Sequence, residues 1–256
     1  MRGFLFSPLL FLLGGVCFSA QARVFIYQEH HVAAVLEGAF GSTLMNQDGF
    51  SANMGNGVDF SDRYQFMTSG KLGMSFKLGG DLQILVAAEI MKPLSVKDVQ
   101  GKNASGVEYY QFSSSAFVLN PMAQMEWTYS YGGTWRSFFF GGMGMGRLTM
   151  ENKFDMTTDG TTDLGVASYT EKMRGDALNG MLGFGFETYF VDSSTFVFKV
   201  GQRLFKVYKL THTNDAVTVA EGSVSDGDTV HNADGSNRHV DLSGPFVEMG
   251  FRFYIP

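Results

Sequence analysis

Eight segments of the chain alternate apolar and polar residues with a period of two, the pattern of strands whose two faces meet different surroundings. They cover residues 32–44, 64–78, 81–91, 115–131, 135–149, 176–190, 195–210 and 240–255. At a rise of ~3.3 Å per residue, each is long enough to cross a membrane at a tilt. The connections alternate as strictly as the residues do. Short ones fall at Gly79-Gly80, Gly132-Gly133-Thr134 and 191–194; long ones cover 45–63, 92–114, 150–175 and 211–239. Up-and-down strands with tight turns at one end and long polar loops at the other predict an all-β fold. It is an eight-stranded antiparallel up-and-down transmembrane β-barrel, with both ends of the chain on the short-turn side.

Charge assigns the faces. In the second segment Leu72, Met74, Phe76 and Leu78 share one face, and Lys71, Gly73, Ser75 and Lys77 share the other. Across all segments the polar face carries Glu37, Asp81, Glu89, Glu126, Glu187 and Glu248, balanced by Lys71, Lys77, Arg136, Lys199, Arg203 and Arg252. A Lys or Arg on a lipid face at mid-membrane costs ~2–4 kcal/mol, so the charged face is predicted to point into the barrel. There opposite signs can pair and offset their desolvation. Glycines on the same face, such as Gly73, Gly183 and Gly185, leave room for long side chains from across the lumen. Charges on the apolar face, such as Arg147, Lys206 and Asp241, stand only near the long loops. Trp127, Tyr129, Tyr131, Trp135, Phe190, Phe196 and Phe253 gather beside the short turns, as a membrane-interface girdle does. A soluble, ligand-carrying barrel is the competing architecture. It would turn the charged face outwards, and the long strands and one-sided loops argue against it.

The N-terminus places the chain outside the cytoplasm. Arg2, the apolar stretch from Phe4 to Phe18 and Ala20-Gln21-Ala22 form the pattern of a signal peptide. Residues 1–22 are therefore expected to be cleaved, leaving 23–256 as the barrel domain. The single cysteine, Cys17, lies in the expected leader, so disulfides and thiol chemistry are not expected in the remainder. A formal net charge of −6 argues against nucleic acid as a partner.

The last segment carries the most specific likeness. Outer-membrane barrels end in a strand with a polar residue, a glycine and lipid-facing aromatic or apolar residues, read by the barrel-assembly machinery. Here Glu248, Gly250, Phe253 and Ile255 occupy those places, although Ile255-Pro256 stands where a terminal Phe is usual. With its strand and loop pattern, the chain resembles the small eight-stranded bacterial outer-membrane barrels of the OmpA transmembrane-domain, OmpX and OmpW kind. The resemblance implies an outer-membrane location, outer-membrane lipids and the assembly machinery as partners, and a possible extracellular partner for the long loops.

Chemistry is sparse. His239, Asp241 and Ser243 alternate on one face near the outer rim, and some barrels of this size modify lipid A with a His and Ser. Residues spaced along one strand face do not by that spacing form a nucleophile–base contact, so no catalytic residues are expected. Asp226-Gly227-Asp228 and Asp234-Gly235 resemble pieces of a calcium loop, yet Val230 stands where a third oxygen ligand belongs. They read as turn residues, and no metal or cofactor is expected. Three roles stay open: a structural or surface-interaction barrel with a plugged interior, a narrow channel for small or apolar solutes, and a lipid A-modifying enzyme.

Overall fold

The computed structural model describes residues 31–45 and 63–255; the expected leader and most of the first long connection lie outside them. Thirteen strands and one short helix are present among the described residues. Eight strands form the barrel wall: β1 (Val32–Ser42), β2 (Phe66–Gly79), β3 (Leu82–Pro93), β5 (Glu108–Tyr131), β6 (Trp135–Met156), β7 (Tyr169–Val191), β8 (Ser194–Val207) and β13 (Gly244–Ile255). Each pairs antiparallel with its neighbours, and β13 pairs with both β8 and β1, which closes the ring. Closure leaves no edge among these eight wall strands; unpaired N–H and C=O groups there would be prohibitively costly in a bilayer.

The faces follow the alternation. Leu72, Val86, Met143, Leu178, Leu182 and Leu204 are all more than half exposed on the outer wall, while Lys71, Glu89, Glu126 and Lys199 are buried inside. From Trp135 to Arg147, β6 advances ~12 residues, which at ~3.3 Å each and a tilt of ~40° covers ~30 Å, about one hydrocarbon core. Aromatic rings tile the turn-side half of this wall. Tyr129 and Phe184 both pack on Phe139 at 4.7 and 4.8 Å, Trp135 lies 6.2 Å from Phe186, and Phe190 and Phe196 flank Phe251.

Two expected loops turn out to be mostly strand. β5, β6 and β7 run on past the membrane rim, β4 (Val96–Lys102) pairs with β5, and only α1 (Thr158–Leu164) and short turns join β6 to β7. Above the rim the alternation continues with its chemistry reversed. Outward positions there are Glu151, Lys153, Asp155, Lys172 and Arg174, facing water, while Met150, Phe154 and Met173 face in. A search for apolar-out strands stops where the lipid stops.

The fourth long connection is also structured, with β9 (Thr211–His212) on β7, a β10 (Ala216–Thr218) and β11 (Gly222–Val224) hairpin, and β12 (Val240–Asp241) on β8. The expected last strand is thus broken: Ser243 Oγ accepts from Phe205 N at 2.9 Å between β12 and β13.

Gly250 shows how tightly the wall is fitted. It stands opposite Glu37 in the β1–β13 register, and an added Cβ would overlap the Leu36 carbonyl and come within 2.8 Å of Glu37 Cγ. Gly250→Ala is therefore expected to lower stability by about 1–3 kcal/mol through overpacking. Equilibrium urea unfolding in detergent measures it, and an unchanged midpoint would show that β1 and β13 can separate freely.

Candidate functional site

The lumen holds one connected network of ions. Lys71 donates to Glu248 at 2.7 Å and sits 3.4 Å from Glu37, while Lys199 donates to Glu37 at 2.7 Å and to Glu248 at 2.9 Å. Arg252 donates to Glu126 at 2.6 Å and to Glu187 at 3.2 Å, and lies 3.5 Å from Glu37. Arg136 reaches Glu126 at 2.6 Å and Glu187 at 2.7 Å. Four carboxylates and four cations thus meet from seven of the eight wall strands. Beside them, Arg203 binds Glu89, whose other contacts are Ser69 at 2.7 Å and Asn120 at 3.1 Å.

Ten of the twelve charges predicted for the interior are therefore buried and joined in opposite-sign contacts. Of the other two, Lys77 is half-buried near the end of β2, and Asp81 is exposed in the β2–β3 turn, beyond the end of the lumen. The sequence assignment of Asp81 to an interior ion pair is thus corrected by its place at the barrel's end.

Neutral hydroxyls complete the network, and sequence pattern did not single them out. Tyr254 donates to Glu187 at 2.8 Å, Thr195 does so at 2.5 Å, and Arg136 donates to Thr128 at 3.1 Å. All three share the inward face with a charge two or eight residues away. Rings line the same space: the Arg136 guanidinium lies 4.5 Å from the Phe138 ring centre, and Lys199 Nζ lies 5.7 Å from that of Phe140. Gly185 lets the Phe138 ring lie against the β7 backbone.

Toward the loops the lumen turns apolar. Tyr64, Met91, Tyr110, Phe112, Leu148, Phe154 and Phe205 form a buried cluster there, and Val230, Val240 and Leu242 from the fourth connection pack into it. That connection therefore caps the barrel. It brings a second buried ion pair, Arg238 with Glu171 at 2.7 Å, from two segments read as loop in the sequence. Burial pushes the Tyr169 phenol up, and the hydrogen bond to Asp163 does the same for Tyr109.

The remaining sequence candidates separate. Trp127, Tyr129, Tyr131, Trp135, Phe190 and Phe253 are exposed on the outer wall, and Phe196 is half-buried against Phe251. Glu248 and Gly250 point inward, the first into the ion network, whereas Phe253 and Ile255 face out. Ser243 Oγ accepts from backbone, and no hydrogen bond joins it to His239 among the described residues. Asp228 accepts from Ser225 N at 2.8 Å, and Asp234 from Ser236 N at 2.9 Å. Both are turn caps, and the Ser236 donors hold the Asp234 carboxyl below its usual range. A groove of about 660 Å³ opens on the wall near the rim, lined by Leu44, Leu178, Leu204, Lys206, Tyr208 and Asp241 among others.

No family model matches the chain, and no curated protein matches it. Solved structures do. A major outer membrane protein from Thermus thermophilus aligns with a TM-score of 0.51 at 10% identity, over 88% of this chain and 100% of that one. The fold is that of an outer-membrane β-barrel. OprG from Pseudomonas aeruginosa aligns at a TM-score of 0.44 and 14% identity over 91% of this chain and 99% of its own. The attachment invasion locus protein Ail of Yersinia pestis gives 0.40 and 10%, over 88% and 99%. At these identities the likeness to this outer-membrane barrel extends to its fold alone.

Removing one ion tests the network. Arg252→Met strands Glu126 and Glu187 beside fewer cations, and the expected loss is about 3–5 kcal/mol. Combining it with Glu126→Gln should recover part of that loss, because the stranded charge goes too. The measurement is urea unfolding of both variants in detergent; a double variant no better than Arg252→Met would show that the pair does not act as one unit.

Proposed function

We propose that this outer-membrane barrel is closed and serves a structural or surface-interaction role through its capped loop end. The observation that carries this reading is the filled lumen: a charge-balanced ion network at the middle and an apolar cluster above it. An eight-stranded barrel has an interior just wide enough for side chains to fill, and here bulky buried side chains occupy it.

In this reading the protein is exported behind a cleaved leader, and outer-membrane lipids contact the wall. The assembly machinery recognises the last strand through Phe253 and Ile255 on its outer face. The long hairpins, which carry Glu151, Lys153, Asp155 and Lys172 outwards, offer an extracellular partner a polar surface. The polar contacts of Ser243 and Asp241 serve backbone and Lys206, which supports a role without catalysis.

The competing reading is a narrow channel. Refolded protein with a heat-modifiable gel band, placed in a planar bilayer, is expected to show no steady conductance. Discrete, reproducible openings would overturn the closed barrel and leave the inward charges as the selectivity lining of a pore.

A further inference from the structure

Above the membrane rim, the fourth connection folds two histidines and a glutamate against β7. His212, on β9, is paired to Met173 of β7, which sets it beside Glu171, two residues away and inward. Glu221, in the turn between β10 and β11, faces both histidines: its carboxylate lies 3.1 Å from His212 Nε2 and 3.2 Å from His231 Nδ1. One ligand atom each from Glu171, His212 and Glu221 lies within 4.8 Å of the others.

Hydrogen bonding alone leaves this cluster incomplete. Glu171 and His212 are almost wholly buried, yet Glu171 Oε1 and His212 Nδ1 have no partner. A buried unpaired polar atom costs ~1–3 kcal/mol, so Glu171 Oε1 calls for a ligand, whereas His212 Nδ1 points away from the Nε2 edge that faces Glu221 and lends no weight. Charge points to its sign. Glu171 and Glu221 bring two carboxylates and Arg238 one guanidinium, which leaves a negative excess in a buried place.

We propose that Glu171, His212 and Glu221 bind one divalent transition-metal ion of the zinc class, with His231 holding the Glu221 carboxylate from outside, independently of whether the lumen conducts. One imidazole and two carboxylates, with the fourth place open to water, make a mixed nitrogen–oxygen set, which suits zinc-class ions, whereas calcium and magnesium favour oxygen alone. Ligand atoms of a tetrahedral zinc with bonds of ~2.0–2.1 Å stand ~3.3 Å apart, close to the 3.1 Å between His212 Nε2 and Glu221 already present. Arg238 and Asn152 orient the Glu171 carboxylate from behind, at 2.7 and 3.5 Å to Oε2, the place of outer-shell partners in metal sites. The side chain of His231 is 40% exposed and gives the ion a way in. Bound there, the ion ties β7, β9 and the β10–β11 turn into one cap, and the segment at His231 joins it through Glu221.

The test uses the untagged full chain, refolded in detergent, stripped with chelator and dialysed against zinc alone or calcium alone. Elemental analysis should find one zinc per chain and no comparable calcium, and cobalt in its place should give the visible absorption of a tetrahedral ion. Glu221→Gln and His231→Ala, both on the outer side of the cluster, should bind zinc roughly tenfold or more weakly while keeping the heat-modifiable band. His239→Ala, outside the cluster, should bind as the parent does. Absence of stoichiometric zinc in the parent, calcium binding equal to zinc, or undiminished binding in folded His231→Ala would each overturn the proposal.

Discussion

Glu37, Glu126, Glu187 and Glu248 meet Lys71, Lys199, Arg136 and Arg252 near the middle of the barrel, and much of the wall is arranged to let them meet. The bilayer forbids these charges on the outer face, where each Lys or Arg would cost ~2–4 kcal/mol. Inside, each ion would still be costly alone, since desolvation outweighs a single imperfect contact. A network shared among seven strands answers that cost because every carboxylate has two or more donors. Tyr254, Thr195 and Thr128 supply the bonds the ions leave open.

The glycines and the ring closure belong to the same arrangement. Gly250 gives Glu37 a path across β13, and Gly185 gives Phe138 a flat place beneath the arginines. The last strand is therefore more than a terminal label. Its inward Arg252 binds Glu126 across the lumen, its inward Glu248 binds Lys71 two strands away, and its outward residues meet lipid. Closing β13 on β1 and completing the ion network are one event in structural terms.

The membrane-spanning half of the fold was legible in the sequence because lipid and lumen make opposite demands on neighbouring residues. Leu72 against Lys71 and Phe251 against Arg252 state the two environments directly. The outer half was not legible in this way. Past Arg147 the outward face meets water, so Glu151, Lys153 and Asp155 look like loop while Asn152 and Phe154 point inward as strand residues. The cap was harder still. His212, Glu221, His231 and Arg238 are scattered along one connection; the pairing of β9 with β7 sets His212 near Glu171, which Glu221 and Arg238 also approach, and His231 joins through Glu221. Asp81 shows the opposite error: a residue of the correct phase, placed beyond the end of the lumen.

Burial of the lumen from water is the claim on which the account stands, and a single cysteine probes it. Ala87 is buried inward on β3 between Leu85 and Glu89, and replacing it with cysteine in a Cys17→Ser chain adds one sulfur atom. The folded barrel in detergent would be exposed to a small charged thiol reagent, and the modified fraction followed over time by mass spectrometry. A closed lumen predicts labelling only after urea unfolding. Prompt labelling of the folded protein, with the heat-modifiable band intact, would show a water-filled interior and contradict the account.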